Sequence, residues 1–197
     1  TTAVFDALPP EMAEDFVEME NTPVQLFGDG YEEIVDVFGR KMYKIPRMDG
    51  FLYVEKRFGV TKGFAGGNFL IMGDSQGSAL LAAEMALEAI IEVPYVTGRI
   101  AASGTKVGGN LYKDAVATTN DPYCACISNK VRNSKIPDGV HCVYEIIING
   151  LTLECAKKAM KAGMEKAISV RGVKKITAGN YGGKLGKECI YLYDLVR

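Results

Sequence analysis

Apolar residues recur at helical spacing in two stretches of the chain. SQGSALLAAEMALEAIIEV, residues 75–93, sets Glu84, Glu88 and Glu92 four apart on one wet face, with Leu80, Leu87 and Ile91 opposite. After Thr152, a good N-cap, Leu153, Ala156, Met160, Met164 and Ala167 form one apolar seam, and Arg171-Gly172 closes that helix. Strand-like runs flank both helices. They are TKGFAGGNFLIMGDS ahead of the first helix, YVTGRIAAS (95–103) after it, VHCVYEIIING (140–150) before the second, and the start of VKKITAGNYGGKLGKECIYLYDLVR after it. Residues 61–197 therefore read β-α-β and then β-α-β again, with a loop-rich stretch over 104–139. The final segment is expected to begin and end as strand around a glycine-rich interruption. That order predicts an α+β fold of the ferredoxin-like, split βαβ kind, with both helices on one face of an antiparallel sheet. The other face is left for an interface or for the floor of a ligand site.

The first sixty residues have a different texture. Residues 1–16 read as a short helical piece interrupted by Pro9-Pro10, with the helical pattern resuming from Glu11 to Phe16. Over 23–60, Gly28-Asp29-Gly30 and Asp49-Gly50 are turn signals between short β-type runs, which predicts a meander or two hairpins.

One residue breaks the pattern. Glu145 stands in the middle of VHCVYEIIING, where alternation puts Val143, Glu145 and Ile147 on one face and Cys142, Tyr144 and Ile146 on the other. Either the strand is an edge with that face in water, or a cleft requires a carboxyl group there. A desolvated carboxyl favours its neutral form, which can donate a hydrogen bond to an oxyanion or a proton to a leaving amine.

Composition narrows the classes. The 197 residues are 48% hydrophobic and 24% charged with a formal net charge of −1, an ordinary globular composition without a basic field for nucleic acid or anionic membrane. No apolar run approaches the ~20 residues of a membrane helix, and the chain opens TTAVFDALPP without an initiator Met, as a processed or shortened chain does. The five cysteines are irregularly spaced, and Cys124-Ala-Cys126 with a single histidine does not make a zinc site. Reduced thiols and a cytoplasmic location are the expectation. The strands carry no basic–aromatic pattern for RNA.

The glycine-rich stretches each admit two readings. In GFAGGNFLIMGDSQ (63–76), Gly66 and Gly67 allow close backbone approach beside Asn68, and Ser75 and Gln76 offer polar groups at a helix start. The same residues also make a glycine bulge and an N-cap. In AGNYGGKLG (178–186), Gly182, Gly183 and Lys184 suggest a phosphate cradle or a solvated loop tip; Ala178 and Leu185 stand where the nucleotide pattern needs Gly and Ser or Thr. Ser103, Thr105 and Lys106 line a polar pocket or a plain surface loop, and Asn149-Gly150 is a polar pair at a strand exit. His141 has no evident triad partner.

Taken together, the GGNFLIMGDSQ element, CVYEIIING and ITAGNYGGKLG, with TTAVFDALP and FGDGYEEIVDVFGRKMYKIP, closely resemble formylmethanofuran–tetrahydromethanopterin formyltransferases across essentially the whole chain. Family members carry a further N-terminal segment that helps build a first lobe related to the second. The resemblance thus implies that 1–55 is a partial first lobe with β-hairpins and that 56–197 is the ferredoxin-like second lobe.

The implied reaction moves a formyl group between formylmethanofuran and N5 of tetrahydromethanopterin through a tetrahedral intermediate, with the two C1 carriers as substrates and no prosthetic group or metal. The family's proposed catalytic glutamate falls on Glu145, which is expected to act protonated, as a hydrogen-bond donor to the oxyanion. The carriers are long and anionic, so Lys106, Lys184 and the amides at Gly66-Gly67 and Gly182-Gly183 are the matching residues for holding them, beside Asn68, Ser75, Gln76, Ser103 and Asn149. A homo-oligomer is implied. Two alternatives stand beside this one: a non-catalytic assembly or pterin-binding subunit, and the formyltransferase subunit of a bacterial formyltransferase/hydrolase complex with hydrolase partners.

Overall fold

A computed structural model describes residues 1–21, 29–102, 106–107, 118–179 and 188–196. These residues fall into two compact units, Thr1–Lys62 and Gly63–Arg197.

The described residues of the first unit form six short strands: β1 (Thr2–Val4), β2 (Asp15–Glu18), β3 (Glu33–Val37), β4 (Arg40–Arg47), β5 (Gly50–Glu55) and β6 (Arg57–Val60). β3, β4 and β5 form the expected meander, extended by β1 into a sheet of order β1-β5-β4-β3, and β2 pairs separately with β6. Val37 pairs with Arg40, so the β3–β4 loop is the two residues Phe38 and Gly39, both at positive φ (53° and 78°). That is the backbone a tight twisted hairpin demands.

The helical expectation for residues 1–16 is corrected here. Thr2–Val4 is a strand that lies parallel to Leu52–Val54, and Asp15–Glu18 is a strand against Arg57–Val60; Pro10–Met12 makes only a 3-10 turn between them. Ladder pairing with distant strands overrode a weak local propensity. Tyr43, Ile45 and Val54 form this unit's small core.

The second unit has the order read from the sequence. β7 (Phe64–Gly73), α1 (Gln76–Ile91) and β8 (Val96–Ala101) are followed by β9 (Lys106–Val107) and β10 (Thr118–Thr119), then by β11 (Cys142–Gly150), α2 (Leu153–Ile168), β12 (Val173–Thr177) and α3 (Leu192–Leu195). The main sheet has strand order β12-β7-β11-β8, antiparallel at every pairing, which is the split βαβ arrangement. β9 and β10 form a separate two-stranded ladder.

Phe69, Ile71, Ile146 and Ile148 point from the central strands into the helices and are fully buried. α1 meets them with Ala79, Ala82, Ala83, Ala86 and Ile90, while the expected apolar residue Ile91 is 58% exposed. The small side chains of the alanines let α1 pack close against α2 and the sheet. α2 buries Ala156, Met160, Met164 and Ala167 as its seam predicted. The chain end differs from expectation. Leu192–Leu195 is a short helix, and Leu192 and Leu195, three apart, pack on the core.

Both long helices are capped by side chains. Thr152 Oγ1 accepts the Cys155 N–H at 3.1 Å. Ser75 and Ser78 form a reciprocal capping box, each side chain accepting the other's backbone N–H at 3.2 Å.

Candidate active site

The side of the β7–β11–β8 sheet turned away from the helices carries the site. Register places Glu145 opposite Leu70 of β7 and Ala101 of β8, so the side chains of Leu70, Ala101, Val143 and Glu145 share that face. The 3-10 turns Asp121–Tyr123 and Ala125–Ile127 contribute Tyr123 and Cys124 over the same patch. A small cavity is lined by Leu70, Ala101, Ala102, Asn120, Tyr123, Cys124, Val143 and Glu145. Of the two alternatives for Glu145, the water-facing edge strand is excluded: β11 is a central strand and Glu145 is only 7% exposed.

Glu145 is held from the neighbouring strand. Asn68 Nδ2 donates to Glu145 Oε1 at 2.7 Å. Asn68 pairs with Ile147 and so lies one diagonal step from Glu145 on the same face. A carboxyl group held by a carboxamide among Leu70, Val143 and Ala101 thus sits in a water-poor setting.

Asn120 is the second buried polar side chain. It is 6% exposed, its Oδ1 has no hydrogen-bond partner among the described residues, and it lines the same cavity. Leaving such an acceptor unsatisfied costs about 1–3 kcal/mol. Burial raises the pKa of the Tyr123 phenol and of the Cys124 thiol, and for Cys124 the nearby Cys126 and Asp121 add to the rise. Both groups are therefore neutral hydrogen-bonding surfaces at neutral pH.

The remaining residues singled out in the sequence are spread over the unit. Asn149 is exposed at the far end of β11, where its Oδ1 accepts the Gly66 N–H at 3.0 Å across a β-bulge, so that amide is already engaged. Gly66, at φ +81°, has open space around it. Gly67 faces the helices: a Cβ there would stand 3.5 Å from the Met160 sulfur. Ser75 and Gln76 sit beyond the opposite end of β7 and do not line the cavity.

Asp74, beside them, has its pKa lowered, first by the Ser78 hydroxyl that donates to it at 2.9 Å, then by Ser75 and by Lys174 at 3.8 Å, against a partial desolvation. A carboxylate thus already occupies that helix start. Lys106 lies in the β9–β10 ladder opposite Thr119, the residue before Asn120. Ser103, Gly182, Gly183 and Lys184 lie outside the described residues. His141 is exposed, with its N–H bonded to the Gly73 carbonyl.

Sequence reading missed Asn120, Tyr123 and Arg99. Arg99 is exposed and pairs with Ile147, which puts it on the Glu145 face of β8. The alternation of VTGRIA could have found it; nothing local marks Asn120. Among the described residues, no group of three or more His, Cys, Asp or Glu could hold a metal ion, and no helix is long and apolar enough to cross a membrane.

Comparison with known proteins agrees with this fold. A formylmethanofuran–tetrahydromethanopterin formyltransferase of Methanothermus fervidus is 51% identical over 201 positions, covering 99% of this chain and 66% of the relative. The solved formylmethanofuran:tetrahydromethanopterin formyltransferase from Methanosarcina barkeri superposes with a TM-score of 0.76 at 47% identity, over 98% of this chain and 65% of that one. The formyltransferase/hydrolase complex from Methylorubrum extorquens, solved with methylofuran, gives a TM-score of 0.72 at 31% identity, over 99% of this chain and 66% of that one. The chain thus spans about two thirds of the length of the relatives it matches. Residues 50–195 match the family described as FTR, proximal lobe, and the chain belongs to that family.

Proposed function

We propose that this chain supplies the catalytic carboxyl group of a formyltransferase that moves a formyl group between formylmethanofuran and N5 of tetrahydromethanopterin. The observation that carries the reading is the Glu145–Asn68 pair, a buried carboxyl group on the open face of the ferredoxin-like sheet. The N5 lone pair attacks the formyl carbon, the C–N5 bond forms, and the carbonyl π pair moves to oxygen. Protonated Glu145 donates a hydrogen bond to that oxyanion. When the carbonyl re-forms, the bond to the methanofuran nitrogen breaks; the amine leaves with a proton while N5 gives one up.

Both carriers are substrates rather than resident cofactors. Asn68 serves by orienting Glu145, and Arg99, Lys106 and Lys184 are the cations assigned to the carriers' anionic groups. The reaction belongs in the cytoplasm, and the protein works as an oligomer. The likeness to the Methylorubrum extorquens complex supports a second reading of the partners, in which hydrolase subunits bind the same protein. Co-purification of the native protein separates a homo-oligomer from that complex.

The test is formyl transfer by the full chain, wild type beside Glu145→Ala, which unlike glutamine leaves no hydrogen-bond donor at that position. Loss of one oxyanion donor lowers kcat by about 10²–10³-fold. Equal rates in the two proteins would remove Glu145 from the mechanism, and an inactive wild type would sink the formyltransferase reading.

A further inference from the structure

All five cysteines are free, and two of them, Cys124 and Cys126, stand one residue apart. Cys124 is partly buried and lines the cavity that Glu145 also lines; Cys126 is exposed and does not line it. Ala125, between them, begins the 3-10 turn Ala125–Ile127, which packs on β11, the strand that carries Glu145. The conformation of Ala125 alone sets the distance between its neighbours' Cα atoms. A 3-10 residue rises ~2.0 Å at three residues per turn, which puts those atoms about 5 Å apart. A disulfide spans roughly 4.4–6.8 Å between Cα atoms, and an extended Ala125 would place them roughly 6.7 Å apart, at the outer limit. Cys142 and Cys155 are not rivals for either thiol. Cys142 alternates with Val143 onto the helix side of the sheet and Cys155 is in α2, so the sheet stands between both and the turn.

The local bonding permits closure. Cys124 Sγ donates to the Asn120 carbonyl at 3.3 Å, a contact that oxidation removes. That carbonyl keeps the Tyr123 N–H at 2.9 Å, so losing the thiol strands no acceptor. Burial first, then the nearby Cys126 and Asp121, raise the Cys124 pKa, so this thiol stays protonated at neutral pH and is a poor first nucleophile. The exposed Cys126 is where an oxidant arrives. We propose that Cys124 and Cys126 are a redox-active dithiol, closed reversibly by a low-molecular-weight disulfide, and that closure alters the wall of the Glu145 cavity. The Cys126 thiolate attacks one sulfur of the oxidant R–S–S–R, a mixed disulfide forms, and R–S⁻ leaves. Cys124 then gives up its proton, its sulfur attacks the Cys126 sulfur, and the second R–S⁻ is expelled. Two thiols become one disulfide, two electrons pass to the oxidant, and the two thiol protons end on two R–SH. Excess thiol reverses each step, as it does for exposed disulfides in general.

The effect on transfer rests on the formyltransferase reading; the bond itself does not. The experiment incubates the full chain with oxidised glutathione at neutral pH, traps free thiols with iodoacetamide, and maps the tryptic peptide 114–130, which carries both cysteines. The expected result is loss of two hydrogen atoms from that peptide with neither cysteine alkylated, reversed by dithiothreitol. Oxidised protein should transfer formyl about tenfold or more slowly, since small displacements beside a reacting centre cost up to about 10²-fold. Cys126→Ser should keep the rate of the reduced protein, form no internal disulfide and lose the response to oxidised glutathione.

Glutathione retained on Cys126 without closure, a bond from Cys126 to Cys189, or two cysteines still open to alkylation overturns the proposal. A Cys126→Ser protein inhibited as wild type is assigns the effect to another cysteine and overturns it as well. A mapped Cys124–Cys126 disulfide with an unchanged transfer rate overturns the link to the Glu145 cavity. If the disulfide maps as expected but reduced wild type transfers no formyl group, the dithiol stands, and its effect on transfer falls together with the formyltransferase reading.

Discussion

Asn68 Nδ2 and Glu145 Oε1 are 2.7 Å apart across the central strands β7 and β11. Neither residue is a sequence neighbour of the other; the register Asn68↔Ile147 and Leu70↔Glu145 brings them together diagonally on one face. A short hydrogen bond thus links the buried carboxyl group to a strand that is itself paired on both edges, by β11 and by β12. Precision at Glu145 is inherited from the sheet.

Asn68→Ala should therefore act through Glu145. The expected outcome is a fall in kcat of about tenfold, equivalent to about 1.4 kcal/mol of transition-state stabilisation, with KM little changed. Glu145→Ala with Asn68→Ala should cost scarcely more than Glu145→Ala alone, because the first change removes what the second positions. Steady-state kinetics on the three variants checks this; additive losses would show that Asn68 acts independently.

Glycine patterns and periodicity made the β-α-β-β-α-β order and the apolar seam of α2 readable, because a core face repeats every 3.6 or 2 residues. Glu145 was conspicuous for the same reason, as a charge where the period called for burial. What could not be read depends on contacts distant in sequence. Thr2–Val4 is a strand only because Leu52–Val54 lies beside it. Asn120 belongs to the site only because the turn at Asp121–Tyr123 folds over β11, and no local pattern announces that. The misplaced apolar face of α1 has a different cause. Its core contacts are alanines, which periodicity scales weigh lightly, whereas Ile91 is apolar yet 58% exposed.

Asp74 gives the protein an acid-sensitive contact. Its pKa is lowered from the ordinary 3.8, chiefly by the Ser78 hydroxyl. A carboxylate with a depressed folded pKa adds stability that is fully present above the unfolded value and is lost as pH falls through the folded one. Asp74→Asn should therefore lower the urea midpoint at neutral pH, and the difference from wild type should shrink below about pH 4 and vanish once both pKa values are passed. Midpoints measured across that range settle it; a difference independent of pH would mean the carboxylate charge is not what matters.

Thr152 caps α2 through the Cys155 N–H at 3.1 Å. Thr152→Ala should cost about 1 kcal/mol of stability, and Thr152→Ser considerably less, since serine keeps the accepting oxygen. The cap lies just past Gly150, at the end of the strand that carries Glu145. Thermal melts of the two variants distinguish a lost cap from lost packing of the threonine methyl, which would penalise both alike.

Gly163 of α2 lies close against Ile90 of α1. A Cβ built there would stand 2.8 Å from Ile90 Cδ1 and 3.1 Å from Phe69 Cζ, both in the fully buried core. Local propensity favours alanine over glycine inside a helix by about 1 kcal/mol. Overpacking a filled core costs about 1–3 kcal/mol. Packing is expected to win, so Gly163→Ala should destabilise the protein despite its better helix propensity. The nearer clash is with the Ile90 terminal methyl, which Ile90→Val removes. Ile90→Val alone should destabilise by about 0.5–1.5 kcal/mol. In the double variant the added methyl fills the space the lost one leaves, so the two changes should be strongly non-additive and the pair more stable than Gly163→Ala alone. Denaturant unfolding of the four proteins tests this. Simple additivity would place the strain on Phe69 instead, and would predict that the sheet beneath Glu145, rather than the helix pair, gives way.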